Sequence, residues 1–247
     1  MTAMPKVRVV DALPEIGDGL DSAQLRMARR HLVAPLVEVT GGIWRPSREL
    51  EGEPAELGLL VLEGLLMRDV VIGETLATEL VGRGDILRPR EQDGQDAPIP
   101  FDIVWHVVEP ARIALLDREF ARAAGHWPEV IEAIVRSAVG RAKTLAITLA
   151  VSHLRHVDAR VLVLMWYLAD RWGKVRPDGI HVPVRLTHNA LGRLVGAQRP
   201  SVTTALRQLA DAGRVTRADD GTWLLHGDPP ESPDELASAR VSATRRR

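Results

Sequence analysis

Residues 184–227 constrain the fold of this chain more than any other segment. They contain two short stretches with helical spacing of apolar residues, separated by Gly196 and followed by two β-prone runs. Thr187 is a good N-cap for the first helix, and Gly196 can adopt the left-handed conformation on which such a helix ends. Because proline is tolerated only in a first turn, the second helix is predicted to start at residues 198–201, around Pro200.

The second helix is predicted to have one apolar side and one polar side. The apolar side comprises Val202, Ala205, Leu206 and Leu209. Two β-prone runs, residues 215–218 and 222–225, then flank Asp219-Asp220-Gly221, where glycine can supply the positive φ of a hairpin turn. Two helices joined by a glycine turn and followed by a hairpin indicate a winged helix-turn-helix.

The polar side of the second helix is typical of a helix that reads a DNA major groove. It carries short polar residues and no carboxylate before Asp211. We expect Arg199 to read a guanine edge, Thr203 and Thr204 to reach a thymine methyl or a phosphate, and Arg214 and Arg217 to touch only backbone. The predicted DNA-binding residues are Gln198, Arg199, Pro200, Ser201, Thr203, Thr204, Arg207, Arg214 and Arg217. The alternative is a helical hairpin packed beside a β-hairpin, with no ligand.

Charge is distributed unevenly along the 247 residues, although the net charge is only -1. Residues 1–126 carry 14 basic and 21 acidic side chains, whereas residues 127–227 carry 14 basic and 8 acidic ones. An acidic front and a basic back are typical of a sensor joined to a DNA-binding unit. The absence of cysteine excludes disulfides, cysteine-ligated zinc and iron–sulfur clusters. Without a long apolar run or a signal-peptide pattern, the protein is predicted to be cytoplasmic, with no membrane partner.

The apolar pattern predicts an α+β chain with several successive parts. Short apolar runs between Leu36 and Leu116 indicate an antiparallel β sandwich or barrel. The predicted parts are an N-terminal extension at 1–24, loosely ordered; a β domain at 25–126; a long helix at 127–156; the DNA-binding domain at 157–227, beginning with a helix capped by Asp158; and a disordered tail at 228–247.

The long helix, predicted from Pro128 to His153, has an apolar stripe wide enough for its own domain and a partner helix together. We therefore predict a homodimer through this helix; the alternative is a helix buried wholly within one chain. The predicted interface comprises Ile131, Ile134, Val135, Ala138, Ala142, Leu145 and Leu149.

In the order of its parts the chain resembles the Crp/Fnr family of bacterial transcription regulators. The closest local match comprises Leu191, Gly192, Leu194, Val195, Gly196, Arg199, Val202, Leu206 and Leu209. Residues 62–64, 82–85 and 116–120 look like turns and the exit of that family's β-roll. The resemblance implies an N-terminal cupin-like antiparallel β-roll, a dimerisation helix, a homodimer on palindromic double-stranded DNA, and RNA polymerase as a possible partner.

Two departures from the family concern the effector. Family members that bind cyclic nucleotides have a Gly-Glu pair after the Gly-Asp turn and a later Arg-Ser/Thr step. Here Arg88-Pro89 replace the first pair, and the later step falls near Phe101-Asp102, which offers no guanidinium. Because a buried phosphate needs a positive partner or an amide nest, we expect no dependence on cyclic AMP. No cofactor is predicted.

Three alternatives remain open. His153 and His156, joined by His106 and His126, could bind a metal or haem in a sensing regulator, or a metal in an enzyme. Catalysis is not expected, since the sequence has no nucleophile elbow, P-loop or complete dinucleotide fingerprint. The third alternative is a scaffold that uses the long helix for protein contacts and does not bind DNA.

Overall fold

The computed structural model describes residues 4–46, 50, 55–88 and 98–230. The chain divides into two units, residues 1–144 and residues 145–247. The first unit contains a mainly antiparallel sheet with helices, and the second contains the helix-turn-helix, so the predicted α+β class is confirmed.

The first unit is built on a seven-stranded sheet in which every described pair is antiparallel. The strand order is β1-β2-β7-β4-β5, with β3 paired to β7 and β6 paired to β4. The strands are β1 Lys6–Arg8, β2 Val33–Val39, β3 Gly42–Trp44, β4 Gly58–Ile72, β5 Thr75–Gly82, β6 Ile86–Leu87 and β7 Asp102–Leu116. Several of the predicted apolar runs therefore merge into two strands of 15 residues each, β4 and β7.

Strand β4 separates two apolar cores. Leu60 and Leu62 pack with the helices of the unit, whereas Leu59 and Val61 pack inside the sheet in a cluster that includes Trp44 and Trp105. This division follows from the alternation of side chains along a strand.

Gly64 lies where β4 changes register against β7. Its φ is +89°, and a Cβ there would lie 2.2 Å from the main-chain oxygen of Pro110. Only glycine allows β7 to approach β4 this closely.

Residues 6–17 differ from the predicted loose extension. After β1 they form a short helix, Val9–Ala12, and a 3₁₀ turn, Pro14–Gly17. Val9 and Val10 are fully buried and Ile16 is 4% exposed, all in the first core. These scattered apolar residues order the segment because they complete that core, which local pattern does not reveal. Residues 1–3 lie outside the described part.

Three further helices accompany this sheet, and the last of them continues from the first unit into the second. Ser22–His31 begins with a capping box between Asp21 and Gln24. Arg118–Ala124, which we call the exit helix, is capped by Asp117, whose carboxylate accepts from the amide of Phe120 at 2.8 Å. Pro128–Ser152, the long helix, follows almost at once and matches its predicted extent within one residue.

The second unit contains Val157–Trp172, which we call the support helix, and a four-stranded sheet of order β10-β11-β9-β8. Its strands are β8 Lys174–Arg176, β9 Gly179–Val182, β10 Val215–Arg217 and β11 Trp223–Leu225. The prediction of Asp158 as a cap is wrong: His156 is the N-cap residue, and Asp158 is buried within the first turn. Strand β8 was not predicted, because Lys174–Arg176 is too short and polar to give a strand pattern.

Within the described ranges, no helix has both the length and the hydropathy needed to cross a bilayer. Residues 231–247 of the predicted tail, with the terminal arginines, and residues 89–97 of the loop after β6 lie outside the described part.

Candidate DNA-binding surface

The first helix of the motif, His188–Val195, holds the second in place and is called the scaffold helix. As predicted, Thr187 caps it, since its hydroxyl accepts from the amide of Ala190 at 3.1 Å. Gly196 ends it with φ 61° and ψ 45°, the left-handed conformation expected from the sequence. Its first residue, His188, faces the second helix.

Arg160 of the support helix fixes the turn between the two helices. Its guanidinium donates to the main-chain oxygens of Val195 at 3.2 Å and Gly196 at 3.1 Å. It also donates to the oxygen of Leu154, two residues after the long helix ends, at 2.6 Å. Carbonyl groups at a helix end have few other hydrogen-bond partners. Arg160 therefore connects the segment between the long helix and the support helix to the turn of the helix-turn-helix.

Gly192 allows this turn to close, and its replacement is our first prediction. A Cβ at Gly192 would lie 2.5 Å from the main-chain oxygen of Ala197, so alanine must displace the turn. We expect Gly192→Ala to lower the melting temperature and to weaken DNA binding, with a destabilisation of about 1–3 kcal/mol.

The control is Gly140→Ala on the exposed side of the long helix, where a Cβ meets nothing within 4 Å. Alanine there should be neutral or stabilising by up to about 1 kcal/mol. Equal melting curves for the two variants would contradict the tight turn.

The second helix, Arg199–Asp211, is called the recognition helix. Gln198 is its extended N-cap residue, Arg199 its first residue and Pro200 its second, in agreement with the predicted start. The predicted apolar side is buried: Val202, Ala205, Leu206 and Leu209 are between 0% and 8% exposed.

The predicted DNA-reading residues of this helix all lie on its exposed side. No acidic residue occurs in the first turn. Neither threonine has a free hydroxyl hydrogen, because Thr203 donates to the main-chain oxygen of Arg199 at 3.0 Å and Thr204 to that of Pro200 at 3.2 Å. The exposed residues are Gln198, Arg199, Pro200, Ser201, Thr203, Thr204 and Arg207.

The predicted wing is the hairpin of β10 and β11, in which Arg217 pairs with Trp223. The Arg217 guanidinium lies over the Trp223 ring, 5.4 Å from its centroid. In the turn, the Asp220 carboxylate accepts from the Thr222 hydroxyl at 2.5 Å and from the Thr222 amide at 3.0 Å. The hydroxyl bond first, and then the amide bond, lower the pKa of Asp220, so this exposed turn keeps a negative charge.

His188 is a residue of this surface that we did not predict. Its Nδ1 lies 2.9 Å from the hydroxyl oxygen of Thr203. Burial, followed by the positive charges of Arg217 and Arg199, lowers the pKa of His188. Because both arginines act on this imidazole, the amino end of the recognition helix and the wing present their positive charges together. The sequence signal that could have identified His188 is its position directly after the N-cap residue Thr187.

Arg214 is not one of the arginines whose charges lower the pKa of His188. It follows the carboxyl end of the recognition helix, and its guanidinium donates to the main-chain oxygen of Asp228 at 3.0 Å. Its side chain is half-buried. This bond gives Arg214 a structural role, and its predicted contact with the DNA backbone stays a prediction.

The long helix divides its apolar residues between two sides. Ile134 is only 7% exposed and lies in the first core with Val130, so its predicted place in a dimer interface is corrected. Ile131 is half-buried against the same core. The other predicted residues remain at the surface: Val135 (53% exposed), Ala138, Ala142, Leu145 (40%) and Leu149 (62%).

Inside the first unit, Glu79 of β5 bridges two arginines. Its carboxylate lies 2.6 Å from Nε of Arg68 in β4 and 2.5 Å from Nη2 of Arg141 in the long helix. Glu79 is 5% exposed, and the two arginine side chains are 12% and 13% exposed. The long helix is thus joined to the sheet by the buried carboxylate of Glu79.

The histidines that could have formed a metal site are dispersed. His106 contacts Asp69 at 2.9 Å, and His126 lies against the main-chain oxygen of Ala123 at 3.1 Å. His153 follows the end of the long helix and His156 is the N-cap residue of the support helix, so they do not share a helix face. Among the residues with described positions, no group of three His, Asp or Glu side chains is arranged to hold a metal ion.

Comparison with known proteins identifies the second unit. Residues 159–227 match the family model of the Crp-like helix-turn-helix domain. Residues 159–227 are a Crp-like helix-turn-helix domain. The resemblance predicted from the sequence is thereby confirmed, together with the DNA-binding helix-turn-helix.

Two curated relatives agree with this assignment. The regulatory protein CysR of Synechococcus elongatus is 31% identical over 110 residues, which cover 43% of this chain and 52% of CysR. The CRP-like cAMP-activated global transcriptional regulator of Mycobacterium tuberculosis is 26% identical over 169 residues, 67% of this chain and 74% of that protein. The match thus spans about half of the first relative and three quarters of the second.

The first unit is supported by likeness of fold. A cyclic nucleotide-binding domain containing protein from Listeria monocytogenes superposes with a TM-score of 0.61 at 14% identity, covering 77% of this chain and 88% of that one. At this identity the likeness concerns the fold alone. The chain therefore combines a cyclic-nucleotide-binding-like fold with a Crp-like helix-turn-helix domain.

Proposed function

We propose that this protein is a Crp-like transcription regulator that acts as a homodimer and binds a palindromic DNA site. The exposed apolar stripe of the long helix carries the proposal. Val135, Ala142 and Leu149 recur every seven residues, with Ala138 and Leu145 between them, and this is the spacing of a two-helix seam. A monomer would leave these side chains in water, whereas a parallel partner helix would cover them. Two recognition helices would then face one side of the duplex.

We also propose that DNA binding does not depend on cyclic AMP, unlike that of the relative named as cAMP-activated. The arginines Arg68 and Arg141 already have an anionic partner in Glu79. A cyclic phosphate placed beside them would meet this carboxylate and be repelled. Arg88 donates to the main-chain oxygen of Glu56 at 2.6 Å, and its neighbour Pro89 lies outside the described residues.

A calorimetric titration tests this second proposal. We expect cyclic AMP, up to millimolar concentration, to give no saturable heat and to leave the affinity for a selected duplex unchanged within about twofold. The positive control is the same titration with the Mycobacterium tuberculosis relative named as cAMP-activated. Saturable binding of cyclic AMP to the unaltered protein at micromolar concentration would contradict the proposal.

The proposed ligand is double-stranded DNA, RNA polymerase is a candidate partner at promoters, and no catalytic activity is proposed. A regulator of this kind acts where the chromosome lies, which in a bacterium is the cytoplasm. No observation on the described residues favours metal or haem sensing through the four histidines.

A further inference from the structure

We infer that Thr203 contacts DNA through its methyl group, that its ligand is the C5-methyl group of a thymine, and that His188 is the positioning residue that holds it. This inference rests on the proposed reading of DNA by the recognition helix. It goes further because it assigns different roles to the hydroxyl and methyl groups of Thr203. It also adds His188, which does not itself touch a base.

The hydrogen bonds of the Thr203 hydroxyl exclude one of its possible roles. Its oxygen lies 3.0 Å from the main-chain oxygen of Arg199, and a carbonyl can only accept, so the hydroxyl hydrogen points to Arg199. The hydrogen is then unavailable to a phosphate or a base. The side chain is exposed nevertheless, so its methyl group and one acceptor lone pair of the hydroxyl oxygen remain for a partner.

The same logic indicates which ring nitrogen of His188 carries a hydrogen. Because the only hydrogen of the hydroxyl is used on Arg199, the contact of 2.9 Å between His188 and Thr203 requires the imidazole to donate from Nδ1. This bond comes from the scaffold helix, so it ties the rotamer of Thr203 to a different element. Thr203 is thereby held by one donor and one acceptor, and rotation of its side chain would break both bonds.

A methyl group held in this way suits one feature of the major groove. Thymine alone among the four bases carries a methyl group there, and threonine methyl groups contact it through apolar surface. Thr204 also turns its hydroxyl back, to Pro200 at 3.2 Å, so this part of the recognition helix is less polar than its sequence indicates. Guanine reading by Arg199 and thymine reading by Thr203 would then be adjacent.

The test uses deoxyuridine, which differs from thymidine only in lacking the methyl group. Each thymine pair of a selected duplex is replaced in turn, and affinity is measured by anisotropy. For the unaltered protein we expect one symmetric pair of positions at which the replacement weakens binding about fourfold per half-site, the value of one buried methyl group. Thr203→Val keeps the methyl group, and because valine in a helix strongly prefers one χ1 rotamer, the methyl group stays in place without His188 and the sensitivity should remain. Thr203→Ser keeps the hydroxyl and should reduce the ratio at that position to about one.

Two variants of His188 test its positioning role. Asparagine can place an amide donor near the position of Nδ1, so His188→Asn should preserve the thymine-to-uracil ratio. His188→Leu lacks a donor and should lower the ratio toward one while the melting temperature remains that of a folded protein. A simple loss of stability would weaken binding to all duplexes and leave the ratio unchanged.

The possible outcomes separate this inference from the proposed function. If the unaltered protein selects a sequence but uracil has no effect at any thymine, the inference is wrong and the proposed function stands. Sensitivity that persists in Thr203→Ser, or that is lost in Thr203→Val, also overturns it. If no sequence is selected at all, both fail.

Discussion

Replacing Leu149 with glutamate is expected to convert the protein to a monomer and to weaken binding to a palindromic duplex by about 10²–10⁴-fold. Leu149 is 62% exposed, and it lies on the stripe that includes Val135 and Ala142. In a dimer the two glutamates would face each other in an apolar seam, where unpaired charge is strongly disfavoured. The loss of affinity follows because the second recognition helix no longer binds as part of the same molecule.

Sedimentation equilibrium and anisotropy on the same samples measure both effects. The control is Lys143→Glu, an equally exposed position next to Ala142 but outside the repeating stripe. It changes the charge by more than Leu149→Glu does, yet it should remain dimeric. A Leu149→Glu protein that sediments as a dimer would show that the long helix is not the interface.

Replacing Arg199 with alanine is expected to relax base preference at one symmetric pair of positions in the site. Arg199 is the first residue of the recognition helix and is exposed, so its guanidinium can reach a guanine edge while the first-turn amides face the backbone. A bidentate contact between arginine and guanine is worth about 1–3 kcal/mol of discrimination, or roughly 5- to 150-fold. Binding to duplexes already changed at that position should weaken much less.

Arg217→Ala provides the comparison. Arg217 is held over Trp223 in the wing, and we expect it to contact a phosphate. Its loss should weaken all duplexes about equally and reduce the salt dependence of binding by about one ion for each half-site. Competition between singly substituted duplexes, measured at several salt concentrations, distinguishes the two variants. Identical preferences for the unaltered protein and Arg199→Ala would mean that Arg199 contacts only a phosphate.

Features determined by neighbouring residues could be predicted from the sequence. The cap at Thr187, the left-handed Gly196 and the proline-marked start of the recognition helix are each set within one turn of chain. The apolar side of that helix followed in the same way, because helical spacing decides which residues face inward. The winged helix-turn-helix was therefore identifiable without a structure.

Features that depend on distant contacts could not be predicted. The stripe of the long helix did not show that Ile134 faces its own core, because that depends on where the sheet lies. Nor did the sequence indicate that Glu79 joins Arg68 to Arg141, since these residues come from three elements. The bond between His188 and Thr203 likewise requires both helices in place.

Selection of binding sites from random duplexes tests the central claim most directly. The protein is used without added ligand, and bound duplexes are sequenced after several rounds. The account predicts a two-fold symmetric consensus whose half-sites are centred about 34–36 Å apart, one turn of the duplex. A consensus consisting of a single half-site, or enrichment of no sequence, would contradict a dimer that reads DNA through two recognition helices.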